Sequence, residues 1–170
     1  MKSDNIFEYL IENNITVATC ESCTGGLLAA AFTDVPGISS VFLEGAVTYT
    51  NEAKERLGVK CETLEEFGAV SRQTAREMAQ CIKERAKSDI GISTTGVAGP
   101  EPSEGKPVGL VYTAIASKNK THVFELNLSG SRREIREETV KAVLRHLKNI
   151  SETEKFHEES PDFTKHYGYA

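Results

Sequence analysis

The sequence predicts an α/β fold, a three-layer α/β/α sandwich built on a mixed sheet. Three observations carry this. Helix-patterned segments alternate with short β-branched runs between residues 4 and 95, the pattern of strands joined by crossover helices. Two strand-like segments, 108–116 and 121–128, are then separated only by Ser117-Lys118-Asn119-Lys120, which makes them an antiparallel hairpin and the sheet mixed. Finally, a chain of 170 residues, 39% hydrophobic and 26% charged, has the size and composition of one globular domain with its own core.

Each element has a local reason. Residues 4–13 read as a helix capped by Ser3, because Ile6, Phe7, Leu10 and Ile11 share one face, and Asn13-Asn14 stops it. The run 15–20 (ITVATC) reads as a buried strand. A tight polar turn, 21–26 (ESCTGG), leads into a helix over 27–33 that ends near Pro36-Gly37. Residues 44–50 (EGAVTYT) are strand-like, Asn51 caps a short helix that runs to Leu57 and stops at Gly58, and 63–67 form another. From Ser71 onward Ala75, Met78, Ala79, Ile82 and Ala86 recur at helical spacing. A strand at 89–95 precedes a Gly/Pro loop, 96–107, of a length that is often functional. After the hairpin, Ser131 and Glu134 form a capping box for a last helix with Ile135, Val143, Leu144 and Leu147 on its inner face. There is no internal repeat.

Residues 1–150 are read as the domain and 151–170 as a separate tail. The tail sets Glu152, Glu154, Glu158, Glu159 and Asp162 against Lys155 and Lys165, and it contains Phe156, Phe163, Tyr167 and Tyr169. Its composition is that of a disordered terminus, while its aromatic density leaves open docking on its own body or on a neighbouring subunit.

Composition excludes several functions. Twenty Lys and Arg against 25 Asp and Glu give a net charge of −5, without the basic excess expected of a nucleic-acid binder; a local site can still be positive enough for a small anion. No apolar run approaches the ~20 residues of a membrane span. Asp4, Glu8 and Glu12 interrupt any secretory signal, so a cytoplasmic location is expected, and Cys20, Cys23, Cys61 and Cys81 are expected as free thiols.

Four segments have the residue types for chemistry. In 21–26, a strand runs into a Gly-bearing turn and a helix, which places Ser22 and Thr24 near backbone N–H groups and a helix dipole. That suits a nucleophile beside an oxyanion hole, or a phosphate cradle; taken alone, the motif is better explained as a Gly-rich connection with Ser22 or Thr24 as N-cap. Lys54, one turn into its helix behind Tyr49-Thr50-Asn51, becomes a general base if burial favours its neutral form. The stretch 94–109 resembles a P-loop but fails the test: Gly99 and Gly105 enclose five residues rather than four, and Pro107 follows Lys106. Arg132, at the start of the last helix, adds charge where anions bind. Cys20-x-x-Cys23 has no second ligand pair for zinc, which leaves a thiol-redox reading. His122, His146, His157 and His166 form no evident Ser-His-Asp set; if Ser22 is a nucleophile, lysine is the better candidate base.

Taken together, ESCTGGLLA at 21–29, VPGISSVF at 35–42, EGAVTYTNEAKERLGV at 44–59, GAVS at 68–71, TGVAGP at 95–100, KPVGLVY at 106–112 and SGSR at 129–132 resemble the C-terminal domain family of the competence/damage-inducible protein CinA. The resemblance covers roughly residues 3–148. That family includes stand-alone nicotinamide-nucleotide amidases. The resemblance implies hydrolysis of nicotinamide mononucleotide to nicotinate mononucleotide and ammonia by a Ser/Lys mechanism, without metal or organic cofactor. It places the nucleophile at Ser22, the base at Lys54 and supporting groups at Tyr49 and Asn51. Thr24 and Gly25 border the oxyanion, and Thr95, Gly96, Gly99 and Arg132 hold the phosphate or line the pocket. It also implies a homo-oligomer with a pyridine mononucleotide as its small-molecule partner. The chain departs from the family pattern at Glu44-Gly45, at 101–105 (EPSEG, where a glycine pair is usual) and at Gly130-Ser131-Arg132 (usually GDR). A family member that binds a nucleotide or a protein partner without turnover is the alternative.

Overall fold

In a computed structural model, which describes residues 5–154 and Phe156, the chain runs α1 (Ile6–Glu12), β1 (Val17–Glu21), α2 (Leu27–Thr33), a 3₁₀ turn (Ile38–Ser40), β2 (Phe42–Val47), α3 (Asn51–Leu57), α4 (Cys61–Phe67), α5 (Arg72–Ala86), β3 (Ile90–Gly96), β4 (Leu110–Ala116), β5 (Thr121–Asn127) and α6 (Arg132–Thr153). Among the described residues, five strands form one sheet in the order β2-β1-β3-β4-β5. β1 is parallel to β2 and β3; β3-β4 and β4-β5 are antiparallel. The sheet is therefore mixed and flanked by helices, as expected.

The two faces follow from strand alternation. Every β1 residue is buried. Val17 points into a cluster with Leu28, Phe32, Val143 and Leu147, between the sheet and α1, α2 and α6. Ala18 and Cys20 point the other way, against Leu57, Met78 and Ile82 of α3 and α5. Neighbours along a strand thus serve opposite layers.

Element ends differ from the sequence reading where side chains take over backbone pairing. Asn5 caps α1, its side chain accepting from Phe7 N at 3.0 Å; Ser3 lies outside the described residues. β1 starts at Val17 because Thr16 N and Oγ1 both donate to Asp89 Oδ2 (2.8 and 2.6 Å). β2 ends at Val47, not at residue 50, because Thr50 leaves the sheet to cap α3, accepting from Ala53 N at 3.2 Å. Asn51 is consequently the first helical residue rather than the cap. α4 starts two residues early, beside a Glu77 carboxylate that accepts from Lys60 N and Thr63 Oγ1.

The expected caps at Ser71 and Ser131 are in place, the latter with its complete capping box. α6 runs on to Thr153, and Phe156 packs beside Leu147 and Ile150. Phe163, Tyr167 and Tyr169 lie outside the described residues.

Because β2, β1 and β3 are parallel, their C-terminal ends share one edge of the sheet. The connections leaving that edge, together with the start of α6, surround a crevice, the usual place for a site in an α/β sheet.

Candidate active site

The turn after β1 is built before any ligand arrives. Ser22 N donates to Thr94 O (2.9 Å), extending the β1–β3 pairing by one residue. Gly25 N donates to Ser22 O (3.1 Å), and Gly25 and Gly26 adopt φ of +58° and +98°, a region that favours glycine. Thr24 is fully buried, with its hydroxyl 2.6 Å from that of Thr94. Glu21, also buried, folds its carboxylate onto the start of α2 and accepts from Gly26 N, Leu28 N and Ala29 N at 2.8–3.0 Å. Arg136 reaches over from α6, donating Nε to Cys23 O (3.1 Å) and Nη2 to Thr24 O (2.8 Å).

This corrects one expectation. The N-terminus of α2 is not open to an oxyanion or a phosphate, because Glu21 already occupies it. Thr24 and Gly25 shape the turn that carries Ser22 and do not line the cavity.

Lys54 approaches from α3. It is 1% exposed, and its Nζ donates to Thr48 O (3.0 Å) and lies 3.2 Å from Ser22 Oγ. Among the described residues no carboxylate pairs with it. Burial pushes its pKa below the ordinary lysine value, against smaller opposing effects of Cys20, Glu104 and Cys23. A neutral amine that donates to Thr48 O keeps its lone pair for the Ser22 hydroxyl.

Ser22 and Lys54 open into a cavity of about 280 Å³, lined also by Tyr49, Asn51, Thr95, Gly96, Gly99 and Arg132. Eight of the ten residues named from the sequence thus meet in one place. Arg132 joins three segments, with Nη1 donating to Gly99 O (2.6 Å) and Nη2 to Tyr49 Oη (2.7 Å). Both acceptors are neutral, so the guanidinium charge stays available at the mouth. Thr95 is buried, and its hydroxyl is engaged by Ala69 O (2.7 Å).

Sequence reasoning missed Glu21, Arg136 and Glu104. Glu21 stands inside the quoted motif; Arg136 falls one turn after Arg132 on the same helix. Glu104 also lines the cavity, and only the altered 101–105 segment hinted at it.

The thiol-redox reading is also corrected. Cys20 packs with Met78 and Ile82, Cys23 with Val111 and Ile135, and both are free thiols. Burial pushes each thiol up to about 12, so neither offers a thiolate near neutral pH. Among the described residues, no three His, Cys, Asp or Glu side chains cluster to hold a metal ion, and no helix is long and apolar enough to cross a membrane.

The family model for the CinA C-terminal domain matches residues 2–151. The chain belongs to the CinA C-terminal domain family. A competence-damage inducible protein of Acetivibrio thermocellus is 59% identical over 133 residues, 77% of this chain and 32% of that protein. One from Clostridioides difficile is 55% identical over 147 residues, 85% of this chain and 35% of that protein. The chain therefore spans about a third of the length of these curated relatives. Solved structures of similar size also match. The competence/damage inducible protein CihA of Agrobacterium tumefaciens has a TM-score of 0.82 at 43% identity, covering 86% of this chain and 91% of that one. The competence damage-inducible protein A of Klebsiella pneumoniae has a TM-score of 0.85 at 32% identity, covering 89% and 100%.

Proposed function

We propose that this CinA-domain protein is a nicotinamide-nucleotide amidase that hydrolyses nicotinamide mononucleotide to nicotinate mononucleotide and ammonia. The observation that carries the reading is the 3.2 Å approach of a buried lysine amine to Ser22 Oγ at the cavity floor. A solvated lysine is protonated and cannot accept a proton; a buried, unpaired one can. A purely nucleotide-binding family member has no use for such a pair.

Ser22 Oγ attacks the carboxamide carbon while Lys54 takes the hydroxyl proton. Cys23, Ala98 and Gly99 line the cavity, and their backbone N–H groups donate no hydrogen bond among the described residues; they are candidate donors to the oxyanion. The ammonium formed on Lys54 then returns the proton to the departing nitrogen, and ammonia leaves. Water attacks the acyl-enzyme with Lys54 again as base, which regenerates Ser22 and releases the carboxylate. Arg132, oriented by Tyr49 and Gly99, supplies positive charge at the mouth for the anionic nucleotide.

The test is ammonia release from nicotinamide mononucleotide by purified protein, with Ser22→Ala as control. Release by the native protein and its loss in the folded variant are expected. No release by folded native protein overturns the reading and leaves nucleotide binding without turnover.

A further inference from the structure

We propose that the wall of the Ser22–Lys54 cavity contains a second oxyanion subsite, occupied in this structure by the protein's own Glu104. The cradle is the turn between α4 and α5. Glu104 Oε1 accepts from Ala69 N (3.2 Å) and Oε2 from Val70 N (3.1 Å). Lys106 Nζ stands 3.5 Å from Oε2 and donates to Phe67 O at 2.9 Å, which fixes the ammonium beside the carboxylate. Two successive N–H groups and one ammonium form an arrangement that holds carboxylate or phosphate oxygens. Gly68 makes the room: a Cβ there would stand 2.6 Å from Glu104 Oε2 and 3.0 Å from Lys106 Nζ.

Cradle and occupant are built differently. The cradle hangs on buried anchors: Gly68 O accepts from Ser71 Oγ (3.1 Å) and Thr74 Oγ1 (2.7 Å), and Ala69 O accepts from Thr95 Oγ1 on β3 (2.7 Å). None of these bonds involves Glu104. The occupant rides on residues 101–105, all exposed, and Glu104 itself holds φ of +53°, a conformation unfavourable for a residue with a Cβ. Removing Glu104 therefore leaves the cradle standing.

A tetrahedral oxyanion offers the same N–H groups and the same lysine an equivalent set of oxygens. Its source is either the phosphate of the mononucleotide or free phosphate. Glu104 competes with it, and the apparent affinity falls in proportion to the fraction of molecules whose cradle is empty.

The experiment titrates inorganic phosphate calorimetrically into the native chain, Glu104→Ala and Glu104→Gln. If Glu104 fills the cradle about 90% of the time, phosphate binds about tenfold more tightly to Glu104→Ala. Adding Lys106→Met to that variant abolishes the gain. Glu104→Gln keeps the side chain's shape and tightens phosphate binding by a smaller factor. Unchanged or weaker phosphate binding in both Glu104 variants overturns the proposal and makes Glu104 a simple loop tie; so does an absence of phosphate binding in all three proteins.

A second arm compares nicotinamide mononucleotide with its riboside, which lacks the phosphate. A gain for the mononucleotide alone assigns the subsite to the substrate's phosphate. Equal effects on both, together with tighter phosphate binding, assign it to free phosphate. This arm rests on the amidase reading; the phosphate titration does not, and failure of catalysis leaves it intact.

Discussion

The turn after β1 and the loop after β3 leave the same edge of the sheet, and both use glycines in left-handed conformations: Gly25 and Gly26 in one, Gly99, Gly105 and Gly109 in the other. Their anchoring differs. The first is held by the buried Glu21 carboxylate, by the Thr24–Thr94 hydroxyl pair and by Arg136 from the far helix. The second is pinned at its base, where Val97 N donates to Leu110 O (2.9 Å) and Gly109 N to Val97 O (2.8 Å), while its exposed 101–105 stretch reaches the body through Glu104 and Lys106. A reacting atom needs placement to within about half an ångström, and the rigid turn carries one. A segment that adjusts a cavity is drawn from the weakly anchored end of a structure, and the loop carries Glu104.

The largest effect tests the rigid side. Lys54→Met keeps the buried stem and removes the amine, so kcat falls by about 10²–10⁴, the range for a lost general base, with the thermal transition nearly unmoved. Steady-state kinetics beside a melting curve checks both halves.

Glu21→Ala comes next. It strands three backbone donors at the start of α2, each unsatisfied buried donor costing about 1–3 kcal/mol, and it loosens the turn that aims Ser22. Denaturant unfolding should show the loss of stability together with a lower kcat. Glu104→Ala strands two backbone donors at the solvent-reached cavity wall rather than three in the interior, so it should cost clearly less than Glu21→Ala. Equal destabilisation by the two variants would erase the contrast between the two loops.

The pH profile is a finer probe. Lys54 loses its proton below the ordinary lysine value of 10.5. The active neutral form therefore accumulates as pH rises, and kcat/KM climbs through that lowered pKa. Stability follows the same sign. The unfolded chain binds more protons between the two pKa values, so the penalty of burying Lys54 shrinks as pH rises toward 10.5. A rate that falls across the alkaline limb would assign Lys54 to its charged form.

Tyr49→Phe gives the smallest change. It removes one exposed hydrogen bond to Arg132, worth about 0.5–1.5 kcal/mol, so KM rises a few-fold while kcat holds.

What could be read in advance was local. The Ser71 and Ser131 caps, the 117–120 hairpin turn and the helix over 72–86 depend on residues within a few positions of one another, and the structure has them. The eight lining residues were legible through the resemblance to the CinA C-terminal family; the sheet explains only why their segments meet, since β2, β1 and β3 run parallel and end on one edge. The start of α2 was misjudged as open because a Gly-bearing turn before a helix says nothing of whether the helix start is vacant. Glu21, five to eight positions upstream, had filled it. Arg136 clamps a turn 112–113 residues away, a separation at which periodicity carries no signal. Thr50 and Asn51 were exchanged as caps because both side chains suit the position, and only the end of β2 decides between them.

The central claim is a covalent Ser22 intermediate formed with Lys54 as base, and partitioning with hydroxylamine tests it most directly. Turnover of nicotinamide mononucleotide in rising hydroxylamine should divert product from carboxylate to hydroxamate without slowing ammonia release, and Ser22→Ala should form neither product. Ammonia release that persists in Ser22→Ala, or turnover without any hydroxamate, would contradict it.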